Sequence, residues 1–498
     1  MQKYQHIFNT IHLQDDLKKR SLRSGAVTLT SQGLQFVIQL GSTMILARIL
    51  SPADYGINAM AVAITGLAGV FSSLGLSTAT IQRADINHEQ VSTLFWINAG
   101  IGLLLTLIIA AISPVVAWFY GTSEMFLVMA SLSLTFTISG LSVQHSALLT
   151  RQMRFVALAV AQILALLTGI LVAIIAGYHA FGYWALVFNT LTNVTVYTLG
   201  VWLFCRWVPG LPKRDAGVRE MVKFGGDLVG FNVVNYFARN FDNILIGRYH
   251  GSGALGFYSK AYQLMMMPIT NLRDPMNAVA MPALSRLQNN PVQYQEYYKK
   301  YVSSLSFLSM PLVTFVFVFS DSIILIVLGD QWIESIIILK ILAVVSFVQP
   351  SISSRGLVLL TLGYTRKYLY LGILSATTIC ASFSIGVMWG PTGVAYAYAV
   401  STYVFLIPYM AIALHKTPVS LSDFFKSIIR PAIVSVSYGL VFISFKNYIV
   451  NTNSFFILII YFIMSWILYL IIFMLVPGGK KEVFEYLSYF KYCFFKKQ

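Results

Sequence analysis

FVALAVAQILALLTGILVAIIAGYHAFGYWALVFNTLTNVTVYTLGVWLFC, Phe155 to Cys205, contains no Asp, Glu, Lys or Arg. A helical crossing of a bilayer needs about 20 mostly apolar residues, so this stretch is two crossings. Gly177–Gly182 supplies the turn between them. Hydrocarbon offers no partner to a backbone N–H or C=O, so both crossings are helices. Tyr368–His415 reads the same way, with its turn at Gly390–Gly393. Shorter charge-free runs fill much of the rest: Gly25–Ala47, Ile57–Gln82, Gln90–Ser123, Met125–Thr150, Val302–Ser320 and Asn447–Gly479.

Composition agrees. The 498 residues are 57% hydrophobic and 10% charged, with a mean hydropathy of +0.72, whereas soluble domains carry about 25% charged residues. The expected fold class is an all-α polytopic membrane protein with about fourteen transmembrane helices. The expected crossings are 25–47, 57–81, 92–118, 125–149, 155–176 and 181–205; then 224–247, 254–284, 302–328 and 338–361; then 368–389, 391–413, 428–446 and 453–476. Most Lys and Arg fall on the side of the termini, among them Arg23, Arg83, Arg151, Arg154, Arg206, Lys213, Arg366 and Lys367. The opposite side holds few, chiefly Arg48, Arg248, Lys260, Lys340 and Lys446. Positive loops stay inside, so both termini are expected in the cytoplasm. The anionic inner leaflet accounts for the net charge of +16, and no nucleic-acid partner is needed. The polar first 24 residues argue against a removed signal peptide and read as a short amphipathic surface helix. Cys205, Cys380 and Cys493 show no metal or disulfide spacing.

An internal repeat organises these crossings. Shifted by 200 positions, Gly25 meets Gly225, Arg48 meets Arg248, Gly56 meets Gly256 and Ala61 meets Ala261. A polar stripe aligns too: Gln32, Gln35, Gln39, Ser42 and Thr43 meet Asn232, Asn235, Arg239, Asp242 and Asn243. LLT at Leu148–Thr150 recurs at Leu359–Thr361, each followed by basic residues. The expected domains are then a cytoplasmic segment 1–24, a first six-helix lobe 25–205, a basic cytoplasmic linker 206–223, a second lobe 224–413, two extra helices within 428–476, and a basic cytoplasmic tail 477–498. Both lobes start on the same side, so the pseudo-repeat is parallel. Transporters built from such repeats bind substrate where the halves meet.

In NYFARNFDNILIGRY, Asn235 to Tyr249, an Arg and an Asp stand three residues apart. Positions 232, 235, 239 and 242 share one helical face, as do 32, 35, 39 and 42. A mid-bilayer charge costs about 2.5–3.5 kcal/mol on insertion scales, so these faces turn away from lipid. One reading pairs Arg239 with Asp242 as glue between helices. The other lines a hydrated cavity, with Arg239, Arg273, Arg48, Arg248, Asn235, Asn232, Gln32, Gln35 and Gln39 as substrate-binding candidates. Arginine suits an anionic head group because its planar fork grips phosphate bidentately. Asp242, Asp274 and Asp227 are ion-coupling candidates or structural partners of the arginines. Asn58, Gln263, Thr270, Asn271, Asn277 and Arg355 add to the same wall. Tyr55, Tyr249, Tyr258 and Tyr262 are placed to stack on sugar or to join an aromatic belt, where Trp118, Trp184, Trp332 and Trp389 also belong.

LARILSPADYGINAMAV (Leu46–Val62), TIQRADINHEQVSTLFWINAGIG (Thr80–Gly102), FGGDLVGFNVVNYFARNFDNILIGRYHGSGALGFYSKAYQL (Phe224–Leu264) and MPALSRLQNN (Met281–Asn290) carry a family resemblance. They resemble bacterial polysaccharide flippases of the Wzx type, in the polysaccharide-transport branch of the multidrug/oligosaccharidyl-lipid/polysaccharide (MOP) exporter superfamily. The likeness covers about residues 20 to 480 and, within that branch, points to exporters of the colanic-acid and teichuronic-acid kind. It implies two six-helix lobes in a V around a cationic cavity, plus two more helices. It also implies a cargo: an oligosaccharide repeat unit on undecaprenyl diphosphate, flipped from the inner to the outer leaflet of the bacterial cytoplasmic membrane. Surface polysaccharide assembly would place a polymerase and a chain-length regulator among the partners. No cofactor is expected. With no GxxxxGK[ST] loop in the sequence, an H+ or Na+ gradient would supply the energy. The family's cavity arginines would carry over to Arg239, and also to Arg273 and Arg48.

Three alternatives remain. A membrane polymerase, ligase or lipid-linked glycosyltransferase usually needs a large outer loop or an acidic motif. Here the longest outer loop, around Ser320–Leu339, carries only Asp321, Asp330 and Glu334, so no enzyme activity is expected. A multidrug antiporter of the same superfamily would fit twelve spans better. A lipid II flippase has fourteen spans and a cationic cavity, but the LSPADYG and QRADINHE stretches lean away from it.

Overall fold

The computed structural model describes residue 8 and residues 17–73, 76–83, 85–213, 219–445 and 454–485; within these, the side chains of 17–23, 67–73, 76, 78–79, 219–235 and 238 lie outside the described set. Every regular element among the described residues is helical. In order these are α1 Leu17–Ile49, α2 Pro52–Ser73, α3 Leu76–Gln82, α4 His88–Tyr120, α5 Glu124–Arg151, α6 Phe155–Tyr178, α7 Trp184–Cys205, α8 Arg219–Leu287 and α9 Pro291–Val318. There follow α10 Ser320–Val327, α11 Ser335–Ile352, α12 Ser354–Thr361, α13 Thr365–Gly386, α14 Gly390–Leu414, α15 Leu421–Phe445 and α16 Phe455–Leu475. The protein is therefore all-α and multi-pass. Nine helical segments among the described residues are long and apolar enough to cross a membrane, and one of them, Thr365–Leu414, has the length of two crossings.

The helix starts follow from local chemistry. In the LSPADYG stretch, Ser51 Oγ accepts the Asp54 N–H at 3.3 Å and Asp54 Oδ2 accepts the Ser51 N–H at 2.9 Å. With Pro52 at the first helical position, this reciprocal cap fixes the start of α2. Asn87 and Gln90 cap α4 in the same way, and Gly121 ends it with φ 69°. Ser420 and Asp423 repeat the device at α15.

Packing divides the chain into two compact units, Met1–Gly256 and Phe257–Gln498. The division falls after the basic linker at 206–223, so the segment from Arg219 to Gly256 packs with the first unit. In that unit α4 lies against α5, α5 against α7, α6 against α7, and α1 against α6. One end is closed by Ile86, Val91, Leu94, Phe95, Leu148, Leu149 and Trp207, with Phe8 inserted among them. Phe8 belongs to the N-terminal segment; the remainder of 1–16, and with it most of the expected surface helix, lies outside the described residues. From Leu17 onward the helix runs without interruption into the first crossing.

Arg151 locks this end. Its Nη1 donates to the carbonyls of Thr80 at 3.0 Å, Ile81 at 3.4 Å and Arg83, and its Nε to Phe8 O at 3.4 Å. The sequence showed it only as a topology marker. Buried in the structure, it satisfies the open carbonyls at the end of α3. Arg151→Met should cost on the order of 2–3 kcal/mol, because several buried acceptors lose a charged donor. Thermal unfolding of the purified protein, followed by tryptophan fluorescence, would measure this; an unchanged midpoint would contradict the clamp.

The repeat at an offset of 200 reappears as geometry. α1 ends at Ile49 and α2 starts at Pro52; at the equivalent place α8 breaks at Gly251, with φ 79° and ψ −177°. The two helices starting there cross reciprocally. A Cβ on Gly56 would overlap the Ser252 carbonyl, and a Cβ on Gly256 would overlap the Pro52 carbonyl. Positions 56 and 256 are a repeat pair read from the sequence, and 52 and 252 are related by the same offset.

In the second unit α9 packs on α11, α15 and α16, α13 on α14, and α11 on α14. The additional helices α15 and α16 thus build on α9. Two expectations change. The span 302–328 is a longer helix, Pro291–Val318, followed by the separate short helix α10. Its polar start is retained because Tyr294, Tyr298 and Tyr301 are buried and their hydroxyls bond to Thr361, Ser354 and Asn277. Trp332 leaves the expected aromatic belt: it is buried, edge-on to Phe257 at 6.0 Å. Trp118 and Trp389 are strongly exposed, as a belt requires.

Candidate functional site

Helix α1 has two exposed sides. At about 100° per residue, Leu34, Val37 and Ile45 share one side, and all three are exposed. Gln32, Gln35 and Gln39 share the other. Gln32 and Gln39 are exposed and Gln35 is partly so. Gln35 Nε2 donates to Gln162 Oε1 of α6 at 3.2 Å, which extends the polar strip to a second helix. The apolar side suits lipid. The polar side does not, since glutamine amides facing hydrocarbon have nothing to bond.

Arg239 projects from α8 in the same unit and is exposed. Among the described residues it makes no ion pair. Asp242, one turn on, is buried at 3% exposure, and its Oδ1 accepts the Asn243 N–H at 2.8 Å. The reading in which Arg239 and Asp242 bind each other is thus not the arrangement seen. The helix around them is fixed by Tyr236, whose hydroxyl donates to Val62 O of α2 at 2.8 Å, and by Asn240 Nδ2, which donates to Tyr236 O at 2.9 Å. Arg248 is exposed and lies 5.6 Å over the Phe119 ring. Arg48 is exposed. The side chains of Asn232, Asn235 and Asp227 lie outside the described residues.

In the second unit, Arg273 is committed to its neighbour. Its Nε and Nη2 reach Asp274 Oδ1 at 3.0 and 2.9 Å. Asn271 Nδ2 donates to Met267 O at 2.7 Å, so this amide serves its own helix. Of the four tyrosines considered for sugar stacking, Tyr55 and Tyr258 are buried and Tyr249 is exposed; Tyr262 stacks on Tyr258 with centroids 6.3 Å apart.

Two polar groups carry more structure than the sequence suggested. Lys260, placed by charge counting among the outer flanking cations, is buried with Nζ 2.9 Å from Gln263 Oε1. His145 is fully buried, stacked on Trp202 at 4.2 Å and within 3.1 Å of Trp207 O. Neither stands out from its neighbours by spacing, because nothing in a linear pattern shows a helix folding over it.

Residues 45–337 match the family described as "Polysaccharide biosynthesis protein". The chain is 27% identical over 423 residues to the teichuronic acid biosynthesis protein TuaB of Bacillus subtilis (strain 168), covering 81% of this chain and 84% of that protein. Among solved structures it resembles the lipid II flippase MurJ in an inward closed conformation, with a TM-score of 0.70 and 15% identity over 91% of this chain and 98% of that one. It also resembles an inward-facing multidrug resistance MATE family transporter of the MOP superfamily, with a TM-score of 0.59 and 14% identity over 80% of this chain and 95% of that one. Both structural likenesses give the fold: the MOP fold that the sequence resemblance implied. With the family matched over more than half its length, the chain belongs to this polysaccharide biosynthesis protein family, as a multi-pass membrane protein.

Proposed function

We propose that the protein is a secondary-active flippase. Its cargo is an oligosaccharide repeat unit on undecaprenyl diphosphate, moved from the inner to the outer leaflet of the bacterial cytoplasmic membrane for surface polysaccharide assembly. The observation that carries this reading is the two-sided α1: Leu34, Val37 and Ile45 are exposed on one side, Gln32 and Gln39 on the other. A membrane helix needs a polar exposed face only where water or a polar cargo passes. The family match to polysaccharide biosynthesis and the likeness to a teichuronic acid protein support a glycan cargo over lipid II or a drug.

Arg239 binds the diphosphate through its fork, exchanging water for two charged hydrogen bonds. The exposed arginines Arg48 and Arg248 extend the positive path, and the glutamines bond sugar hydroxyls. The prenyl tail stays in lipid. An H+ or Na+ gradient drives the cycle, with Asp242 as a coupling candidate and Asp274 available if its bond to Arg273 opens. Fourteen crossings, cytoplasmic termini, and a polymerase and chain-length regulator as partners complete the proposal. No bond is made or broken, so the protein is a carrier rather than an enzyme.

The test is reconstitution. Vesicles containing the lipid-linked oligosaccharide expose only part of it to an added glycan-oxidising enzyme. With the protein present and an ion gradient imposed, the accessible fraction should rise toward completion. No rise under either an H+ or a Na+ gradient would overturn the flippase reading.

A further inference from the structure

The second unit holds a cation that the mechanism above does not use. Arg355 stands on α12, six residues before that helix ends at Thr361, or roughly 9 Å along the axis at about 1.5 Å per residue. It is partly buried, and its guanidinium carbon lies 5.4 Å from the centre of the Tyr409 ring. Tyr409 is fixed in turn: its hydroxyl bonds to Thr378 Oγ1 and donates to Leu374 O at 3.3 Å. Tyr368 packs against the residue that follows Arg355. A Cβ on Gly356 would stand 3.1 Å from Tyr368 Cε2, so the glycine after Arg355 lets that ring approach the backbone.

What is missing is an anion. Among the described residues no carboxylate forms an ion pair with Arg355. Other covered cations among the described residues are held by oxygen acceptors. Arg273 has Asp274, Lys340 has Asp321 and Arg430 has Glu482; Arg151 has its carbonyls. A ring face offsets only part of the hydration a guanidinium loses, and leaves its N–H donors unfilled. Inside a membrane span such a group needs water or an anion.

We propose that Arg355, flanked by Tyr368 and Tyr409, is a binding site for a phosphate-bearing head group on the second unit. The planar fork takes two phosphate oxygens, and the tyrosines offer ring faces and hydroxyls to an attached sugar. This deepens the flippase reading and rests on it: the site is a second hold on the diphosphate, separate from Arg239.

The experiment uses the full-length protein in nanodiscs with undecaprenyl diphosphate as the probe and phosphatidylglycerol as competitor. Binding is compared for wild type, Arg355→Gln and Arg355→Lys, with the unliganded melting temperature of each variant checked first. Arg355→Gln should weaken diphosphate binding about ten- to hundredfold, the usual scale for losing a charged hydrogen-bonding pair, and Arg355→Lys should fall between. Equal binding by Arg355→Gln and wild type overturns this site and leaves the flippase reading standing. No binding by the wild type overturns both. If phosphatidylglycerol competes on equal terms, and Arg355→Gln weakens both lipids alike, a phospholipid is the occupant and the role in holding cargo is overturned.

Discussion

Arg239→Ala should lower translocation of the lipid-linked oligosaccharide about ten- to hundredfold while the protein still folds and reaches the membrane. The two halves of this expectation have separate causes. Arg239 is exposed and makes no ion pair among the described residues, so its loss leaves no buried partner behind. Substitutions of that kind usually change stability by less than about 0.5 kcal/mol. The cargo loses a bidentate, charge-assisted contact, worth about 1.5–3 kcal/mol. Arg239→Lys separates charge from geometry. It keeps the positive point charge but not the fork, and should give an intermediate rate. The reconstituted flipping assay reads all three proteins. Full activity of the lysine variant would rule out bidentate gripping; full activity of the alanine variant would remove Arg239 from cargo binding.

The second large effect is on folding. Gly56→Val or Gly256→Val should prevent recovery of folded protein from detergent extracts. Each glycine lies where a Cβ would overlap a backbone carbonyl of the crossing helix, Ser252 in one case and Pro52 in the other. A backbone cannot turn aside as a flexible side chain can. Separating the helices forfeits the close packing that holds membrane helices together without a hydrophobic drive. Overpacking a core costs about 1–3 kcal/mol; a clash on main-chain atoms lies at the upper end or beyond. Fluorescence-detected gel filtration checks this. Gly251→Ala tests a different cause, since nothing crowds a Cβ there and only the backbone conformation, φ 79° and ψ −177°, resists a side chain. A monodisperse, heat-stable Gly256→Val protein would show that the crossing is not tight.

The same pair shows how much of the fold was legible. Charge-free runs mark helices because no other backbone survives hydrocarbon, so α4 to α7 and the double span α13–α14 followed directly. The repeat was visible as Gly56 with Gly256, and the crossing explains it: both copies need a residue without a side chain at the same point. The polar strip of α1 was readable as Gln32, Gln35 and Gln39, since a period near 3.6 puts them on one face. What the pattern could not show is who partners whom. Arg239 and Asp242 looked like a pair by spacing, yet one is exposed and the other buried. Arg273 and Asp274, adjacent in sequence, do bind each other. Trp332 was assigned to the lipid interface from its place near a span end, but α10 and the turn at Asp330–Trp332 fold it inward. Lys260 and Arg151 read as ordinary flanking cations, because only tertiary packing decides whether a cation is covered. Apolar continuity across Phe319 likewise concealed the separation of α10 from α9.

Whether the glutamine face of α1 meets water is the most direct question. In a protein with its native cysteines replaced, Gln32→Cys and Gln39→Cys are introduced singly, with Leu34→Cys and Val37→Cys as their counterparts across the helix. Intact cells are treated with a small, charged, membrane-impermeant thiol reagent. The expected result is rapid modification at 32 or 39, slowed when cargo synthesis is raised, and almost none at 34 and 37. Modification equal on both faces, or none at 32 and 39 from either side of the membrane, would mean that α1 lines no aqueous path.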